Sequence, residues 1–474
     1  MEGQEVPRKR LIVVSNRLPV VIGEQDGALR VSPGAGGLVT ALAPVIRRGG
    51  GVWVGWPGCD DRPEIGELLD GFGAEQGYRL VPVPLSEDEA ERYYRGFSNE
   101  ALWPLFHDLL GNCRFNRDNW QTYADVNRRF ADAVATVASP DDFIWVHDYQ
   151  LTLVGAALRE LGISQRLSYF LHIPFPSTDL FRRLPWKMDV LAGLLAYDLI
   201  GFQTLRDRRN FVNSATALCP DVQVVTRQRY HTVLSYGRRL IKVGHFPISI
   251  DFDEFNDGAQ SQAVAEAAWY LHENLEGRQL VLGVDRLDYT KGIPERFLAF
   301  ERALEKYPEL KGKISLLQVV VPSRTLVPDY QNLKELLDQI AGRINSRFTE
   351  YGWTPIQYVF RSLDRTQLLA HYRASEIALI TPLRDGMNLV AKEYCASSVD
   401  NNGVLILSEF AGAADQLGRD ALLVNPYDID GTADAIYRAF TMDPAERRHR
   451  MGLLRSVVRR NDVHRWVRWF VDTM

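Results

Sequence analysis

The sequence predicts an α/β protein with two doubly wound domains, and two observations support this fold class. The chain has 474 residues, more than one hydrophobic core usually supports, so two domains are the natural division. Short apolar runs alternate with helical patterns nearly throughout, which is typical of βα units around parallel sheets. Most of these runs are continuous rather than alternating, as in strands that helices cover on both faces.

The predicted strands share this continuous apolar character. They are Leu11–Val14, Val52–Trp56, Phe143–His147, Leu167–Leu171, Leu199–Phe202, Leu280–Val284, Ile314–Val320, Ile356–Val359, Ile377–Ile380, Val404–Leu407 and Ala421–Val424. Helical patterns lie between them, for example Asp148–Leu161, Ile293–Tyr307 and Leu326–Phe348.

A break in the pattern indicates where the domains divide. Pro247 and several acidic residues interrupt the alternation near Phe246–Asp253. We therefore expect a first domain over residues 1–248 and a second over 249–455. The last stretch is Arg-rich and helical, with an apolar stripe of Trp466, Trp469 and Phe470. Residues 456–474 are expected to form a helix that packs back on the first domain.

Composition excludes several classes of protein. The net charge of −5 gives no overall basic field for nucleic acid. The four cysteines form no CxxC pair, so neither a zinc site nor a disulfide framework is indicated. The apolar run Leu11–Val14 is too short for a signal-peptide core or a membrane span. We expect a cytoplasmic protein without nucleic-acid or membrane partners, and self-association is left open.

The most informative segment is the loop at Asp385 and Gly386. It follows the apolar run Ile377–Ile380 and precedes a helical stretch, Leu389–Ala396. A strand, a tight glycine loop and a helix form ligand sites at the carboxyl ends of strands in α/β proteins. The N–H groups that open a helix carry partial positive charge and suit anionic or hydroxyl-rich ligands.

Asp385 and Glu393 invite comparison with the paired carboxylates of glycosidases, but their spacing argues against that chemistry. Eight residues of helix rise about 12 Å. Glycosidase carboxyl groups lie only roughly 5–9.5 Å apart. The two side chains are better placed to hold two ends of one long ligand, although an isolated Glu393 would also fit a solvated helix position.

Arg286 and Lys291 form a second candidate site, on the loop after Leu280–Val284. A planar guanidinium fork and an ammonium point charge together match a diphosphate. The alternative is a solvent-exposed pair that Asp285 and Asp288 balance.

Three weaker signals lie in the first half of the chain. The Gly-rich turn at Gly36 and Gly37 lacks the third glycine of the dinucleotide fingerprint, so a nicotinamide dehydrogenase is disfavoured. His147 and His172 follow predicted strands without metal-ligand spacing, and His147 suits a buried, hydrogen-bonded position. Aromatic and polar residues interleave over 93–104; the segment could belong to the core, but such a pattern on a loop often lines a sugar site.

Together these motifs resemble those of the trehalose-6-phosphate synthases, retaining glycosyltransferases of the GT-B fold, in which two Rossmann-like domains face a central cleft. The similarity runs from Ser15–Arg17 to Asn425–Asp428. The motifs that carry it are Gly36–Gly37, Phe97–Asn99, Leu102–Pro104, Trp145–Tyr149, His172–Pro176, Arg286–Gly292 and Leu383–Glu393.

The resemblance implies a nucleotide-glucose donor, a glucose 6-phosphate acceptor, and α,α-trehalose 6-phosphate and a nucleoside diphosphate as products. The first domain would bind the acceptor and the second the nucleotide sugar. The implied acceptor residues are Arg17, Tyr94, Trp103, Asp148 and Arg324. The implied donor residues are Gly36, Gly37, Arg286, Lys291, Arg361, Leu363, Asp385, Gly386, Met387, Asn388, Leu389 and Glu393. The implied catalytic set is Asp148, His172, Arg286, Lys291 and Asp385.

The family's mechanism implies neither a protein nucleophile nor a metal or other cofactor. The leaving phosphate would take the acceptor proton on one face of the sugar, and the protein would position the substrates and stabilise charge on the diphosphate. An Arg can donate two hydrogen bonds to guanine O6 and N7, so Arg361 keeps GDP-glucose open beside UDP-glucose. A cyclitol-coupling pseudo-glycosyltransferase and a non-catalytic regulatory subunit remain alternatives.

Overall fold

The computed structural model describes residues 10–25, 28–34, 37–59, 62–324 and 327–474. Two compact units divide the chain. Unit 1 comprises the residues up to Pro247 together with Val467–Met474, and unit 2 comprises Ile248–Trp466.

The strands alternate with helices along most of the chain. They are β1 (Leu11–Arg17), β2 (Val20–Gln25), β3 (Ala28–Pro33), β4 (Val52–Trp56), β5 (Arg79–Pro82), β6 (Phe143–His147), β7 (Arg166–Phe170), β8 (Leu199–Phe202), β9 (Val222–Arg227), β10 (His231–Tyr236), β11 (Arg239–His245), β12 (Gln279–Arg286), β13 (Ile314–Val321), β14 (Ile356–Phe360), β15 (Ile377–Ile380), β16 (Val404–Ser408) and β17 (Leu422–Val424).

The α-helices occupy most of the intervening sequence. They are α1 (Gly37–Gly49), α2 (Pro63–Gln76), α3 (Glu87–Glu89), α4 (Trp103–Phe106), α5 (Arg117–Val137), α6 (Val154–Glu160), α7 (Thr178–Phe181), α8 (Lys187–Leu195), α9 (Leu205–Leu218), α10 (Phe252–Gln260), α11 (Gln262–Leu275), α12 (Ile293–Lys306), α13 (Pro328–Phe348), α14 (Arg365–Ala374), α15 (Leu389–Ser397), α16 (Ala414–Leu417), α17 (Ile429–Thr441), α18 (Pro444–Arg460) and α19 (Val463–Thr473). A π-helical segment, Ala90–Leu102, joins α3 to α4.

In the described part of unit 1, nine strands form one sheet in the order β5-β4-β1-β6-β7-β8-β11-β10-β9. The pairs from β5 to β11 are parallel, and only β10 pairs antiparallel with both of its neighbours. The chain leaves β1 towards β4 on one side and later returns to β6 on the other. The carboxyl ends of β1 and β6 therefore flank a topological switch point, where doubly wound sheets bind ligands.

Unit 2 has a six-stranded parallel sheet over its described residues, in the order β14-β13-β12-β15-β16-β17. This is the Rossmann order, with β12 and β15 at the switch point. Buried aliphatic and aromatic side chains from β12–β16, α12, α13 and α17 form its core. The predicted fold class, two doubly wound α/β domains, is confirmed.

Every strand predicted from the sequence is present. The missed strands are the hairpin β2–β3, the short strand β5 and the strands β9–β11, and most of them carry polar residues and expose part of their surface. A search for continuous apolar runs does not find such strands. The predicted helix Asp148–Leu161 is shorter than expected, since a 3₁₀ turn at Tyr149–Leu151 precedes α6.

For residues 93–104, the structure excludes a loop and supports a place in the core. The segment is helical throughout, in the π-helical segment and α4. Tyr93, Phe97 and Trp103 are buried, and Phe97 packs against Trp120 and Trp186 of neighbouring elements. The aromatic residues lie on the inner face of a helix, so their spacing reflects helical packing.

The chain ends in two helices, α18 and α19. Phe470 of α19 is fully buried within unit 1. Its ring stacks on Trp145 at 4.2 Å between centroids and meets Phe246 and Phe170 edge-on. This aromatic cluster covers β6, the strand that leads to His147 and Asp148.

Lys392 is a fully buried lysine in α15. Its Nζ donates to the carbonyl oxygen of Ile248 at 2.6 Å and to Gln416 Oε1 at 2.7 Å. Burial lowers the pKa of Lys392 to about 7. A neutral amine still has two N–H groups, which matches the two acceptors.

We expect Phe470→Ala to destabilise the protein by about 3–5 kcal/mol, because it leaves a cavity among the aromatic rings. Thermal unfolding followed by circular dichroism should show a clear fall in Tm. Val471→Ala, at a neighbouring position that is 41% exposed, is the control and should leave Tm nearly unchanged. Equal Tm values for both variants would contradict the packing role of Phe470.

We expect the contribution of Lys392 to the free energy of unfolding to increase as the pH rises above neutrality. In the unfolded chain Lys392 keeps its proton up to its ordinary pKa of 10.5, whereas in the folded protein it loses the proton near pH 7. Between these values the unfolded state binds more protons, so the free energy of unfolding increases with pH.

Urea denaturation of the wild type and Lys392→Met at pH 6, 7, 8 and 9 measures this contribution. The difference in unfolding free energy should grow in favour of the wild type by up to about 1.4 kcal/mol per pH unit above pH 7. Lys334→Met replaces a lysine whose side chain is 29% exposed and should show no such slope. A flat difference for Lys392→Met would show that Lys392 stays charged.

Candidate functional site

The switch point of unit 2 brings two predicted site loops together. Leu383 N donates to the carbonyl oxygen of Thr290 at 2.8 Å, which joins the loop after β15 to the loop after β12. Gly292 makes this approach possible, since a Cβ there would lie 2.4 Å from the Thr381 carbonyl oxygen. Its φ of +62° also favours glycine.

Lys291 and Asp385 form an ion pair across these loops. Lys291 Nζ lies 2.6 Å from Asp385 Oδ2, and both side chains are largely buried. Asn388 Nδ2 donates to the same carboxylate oxygen at 3.1 Å. The Asn388 side chain also accepts from Ala391 N as the N-cap of α15, so it fixes the helix start relative to Asp385.

The loop at Asp385–Asn388 is braced by the segment that follows β16. Asp385 N donates to the Phe410 carbonyl oxygen, and Ala413 N donates to the Met387 carbonyl oxygen at 2.7 Å. A Cβ on Gly412 would lie 1.9 Å from the Gly386 carbonyl oxygen, so only glycine fits there. Sequence reasoning missed Gly412, because its importance arises from a contact with a distant loop.

Asp288 carries a negative charge at the centre of several cations. Its Oδ1 accepts from Thr290 N and Oγ1, and its Oδ2 lies 3.7 Å from Arg324 Nη1. Burial raises the pKa of Asp288, but the charges of Arg324, Lys291 and Arg286 outweigh burial and hold it below its ordinary value. Arg324 has a φ of +49° and donates to the hydroxyl of buried Tyr330.

The alternative of a solvent-exposed cation pair balanced by two aspartates holds for Arg286 and Asp288 but not for Lys291 and Asp285. Arg286 is exposed, but Lys291 pairs with Asp385. Asp285 is buried and pairs with fully buried Arg296, which also donates to Gln318 and Thr381. This buried network joins α12 to three adjacent strand regions beneath the site.

Glu393 is half-buried in α15 and accepts a hydrogen bond from Tyr372 at 2.8 Å. Burial raises the pKa of Glu393, opposed by that bond and by Arg365. The partnership with a buried tyrosine excludes the solvated-glutamate alternative. Arg361 is exposed after β14, and Leu363 is half-buried beside it.

Two acceptor candidates of unit 1 meet around Trp56. The guanidinium of Arg17 lies over the indole ring at 4.4 Å from its centroid, and Tyr94 meets the same ring edge-on at 6.1 Å. Burial lowers the pKa of Arg17, partly opposed by Tyr94 and Cys59. Trp103 is buried and packs on His107 and Tyr149.

The carboxyl ends of β6 and β7 hold two linked imidazoles. His147 Nδ1 and His172 Nε2 are 3.1 Å apart, and His172 N donates to Asp148 Oδ1 at 3.2 Å. Burial lowers the pKa of His147 well below its ordinary value and that of His172 to about 3, so both rings are neutral. The expectation of a buried, hydrogen-bonded His147 is confirmed.

Only one glycine of the pair Gly36–Gly37 in unit 1 lies within the described residues. Gly37 begins α1, whereas Gly36 lies outside the described residues. Across the described ranges, no three His, Cys, Asp or Glu side chains cluster closely enough to hold a metal ion. No helix in the same ranges has the length and apolar character needed to cross a membrane.

Comparisons with known proteins agree on one family. A trehalose-6-phosphate synthase of Mycolicibacterium vanbaalenii is 43% identical over 473 residues, covering 98% of this chain and 95% of the relative. A UDP-forming α,α-trehalose-phosphate synthase of Dictyostelium discoideum is 42% identical over 470 residues. That match covers 98% of this chain but only 62% of the relative.

Solved structures give the same result for the fold. A UDP-forming synthase of Burkholderia xenovorans in complex with glucose 6-phosphate superposes with a TM-score of 0.87 at 35% identity, covering 98% of this chain and 99% of that one. An E. coli structure bound with UDP-2-fluoro glucose has a TM-score of 0.87 at 39% identity, covering 98% of each chain. The resemblance predicted from the motifs is confirmed. The model of glycosyltransferase family 20 matches residues 9–474, and the chain belongs to this family.

Proposed function

We propose that this chain transfers glucose from a nucleotide-glucose to glucose 6-phosphate, with retention of configuration, and forms α,α-trehalose 6-phosphate and a nucleoside diphosphate. The observation that supports it most directly is the Lys291–Asp385 pair at the switch point of unit 2, beside exposed Arg286. The relatives that match along the chain are named as trehalose-phosphate synthases.

In this proposal the donor lies along the carboxyl edge of the unit 2 sheet. Arg286 and Lys291 bind the diphosphate, and Asp385 with the amides of Gly386–Leu389 binds the glucose hydroxyls. Glu393, held by Tyr372, accepts hydrogen bonds from the ribose. The diphosphate competes with Asp385 for Lys291, so donor binding redistributes the hydrogen bonds of that ammonium group.

The residues that bind the acceptor substrate are assigned from the same family resemblance and from their contacts in the structure. On unit 1, Arg17 binds the phosphate of glucose 6-phosphate, Tyr94 and Trp103 line its ring, and Asp148 accepts from its hydroxyls. Asp148 has a φ of +74°, and the His172 N–H donates to its carboxylate, so its orientation is fixed by the backbone. Neutral His172 serves as a hydrogen-bonding group rather than as an acid.

The proposed reaction proceeds on one face of the sugar without a metal ion. The glycosidic bond to the diphosphate breaks as the acceptor oxygen approaches, and a leaving phosphate oxygen takes the acceptor proton. Charge accumulates on the diphosphate, and two fixed cations stabilise it there. We also propose a cytoplasmic location, since the substrates named here are charged, water-soluble metabolites.

We expect Lys291→Ala to lower kcat by about 10²–10³-fold, because it removes stabilisation of the leaving diphosphate. Steady-state rates of nucleoside diphosphate release measure the effect. Lys306→Ala is the matched control, since Lys306 lies in the same unit and pairs with Asp434 on the surface. Unchanged turnover in folded Lys291→Ala would contradict the assigned role.

Product analysis with glucose 6-phosphate and a panel of nucleotide sugars tests the proposed function itself. We expect trehalose 6-phosphate from UDP-glucose, because relatives are named as UDP-forming. Activity that a chelator abolishes and Mg²⁺ restores would overturn the metal-independent mechanism. A product other than a trehalose phosphate would overturn the reaction.

GDP-glucose is the second donor that we propose, through Arg361. Arg361→Ala should lower kcat/KM with GDP-glucose by about tenfold, since it removes two hydrogen bonds to guanine, and leave kcat/KM with UDP-glucose within about twofold. Arg343→Ala, which changes an exposed arginine paired with Glu301, is the control. Equal selectivity in wild type and Arg361→Ala would exclude base reading by Arg361.

A further inference from the structure

Arg17 packs against an aromatic ring. Its guanidinium lies on the ring of Trp56, and among the described residues no carboxylate pairs with it. The groups that raise its pKa against burial are Tyr94 and Cys59, a phenol and a thiol. A guanidinium has a planar fork of N–H donors that suits a phosphate anion.

The space that the guanidinium occupies exists because residue 58 is glycine. A Cβ on Gly58 would lie 1.5 Å from Arg17 Nη1, 2.3 Å from Cζ and 2.9 Å from Nη2. All three distances are shorter than real Cβ contacts, so a side chain of any size would displace the cation from this position.

We propose that Gly58 is a positioning residue that fixes Arg17 on Trp56 for the phosphate of the acceptor. The inference rests on the proposed function, in which Arg17 binds glucose 6-phosphate. Gly58 itself contributes no group to the ligand. It acts by leaving the volume that the guanidinium fills, two residues beyond the end of β4 and opposite the end of β1 in the parallel pair.

Gly58 also has a φ of +88°, so an alanine there strains the backbone as well as moving Arg17. A second glycine separates these effects. Gly162 has a φ of +80° and no atom within 4 Å of its Cβ position. Gly162→Ala therefore reproduces the backbone strain without the clash and serves as the matched control.

The experiment measures kcat and KM for glucose 6-phosphate, for the nucleotide-glucose and for unphosphorylated glucose as acceptor. Gly58→Ala should raise KM for glucose 6-phosphate about tenfold or more, as expected when hydrogen bonds to a charged group are lost. It should leave kcat, KM for the donor and the rate with glucose within about twofold. Gly162→Ala should match the wild type in every parameter, and circular dichroism verifies folding.

The double variant Arg17→Ala/Gly58→Ala tests whether Gly58 acts through Arg17. Once Arg17 is absent, Gly58→Ala should raise KM for glucose 6-phosphate no further. If the effects of Arg17→Ala and Gly58→Ala on KM for glucose 6-phosphate add up, the proposal about Gly58 is wrong. It is also wrong if Gly58→Ala behaves like Gly162→Ala. In either case, formation of trehalose 6-phosphate by the wild type would still support the proposed function. If the wild type forms no trehalose 6-phosphate, the proposed function itself is wrong, whatever the variants show.

Discussion

The parallel pairing of β12 with β15 is the constraint on which the candidate donor site depends. These strands are adjacent although β13, β14 and their helices separate them in sequence. Their carboxyl ends lie side by side, and the hydrogen bond from Leu383 to Thr290 joins the two loops that follow. The contact between Lys291 and Asp385 follows from this arrangement, because each residue belongs to one of these loops.

Electrostatic balance explains how several cations remain close together. Arg286, Lys291 and Arg324 all lower the pKa of Asp288, and the buried carboxylate therefore stays ionised. One anion shared among cations reduces their mutual repulsion without neutralising the group, which leaves net positive charge for phosphate oxygens. The pair Asp285–Arg296 lies beneath this cluster and is satisfied by Gln318 and Thr381, as a buried ion pair requires.

The side chains at the switch point of unit 1 differ in charge from those at the switch point of unit 2. The polar groups at the unit 1 switch point are mostly neutral. His147 and His172 are hydrogen-bonded to each other and uncharged, and Arg17 lies on an indole ring with no carboxylate partner among the residues that the structure describes. A charged phosphate would then be bound by a small number of cations, with neutral donors and acceptors around the sugar. This division of charge agrees with a diphosphate on one unit and a monophosphate on the other.

The sequence by itself determined the fold class, the continuous parallel strands and the loops at Lys291 and Asp385, because apolar runs and glycine turns are local signals. For residues 93–104 it left core and binding loop open, and the structure shows a helical segment whose residues Tyr93, Phe97 and Trp103 are buried. Only the tertiary structure decided that Lys291 pairs with Asp385, that Tyr372 holds Glu393, and that Gly412 must lack a side chain. Each of these depends on the distance between atoms far apart in the chain, which strand order sets and local sequence does not encode.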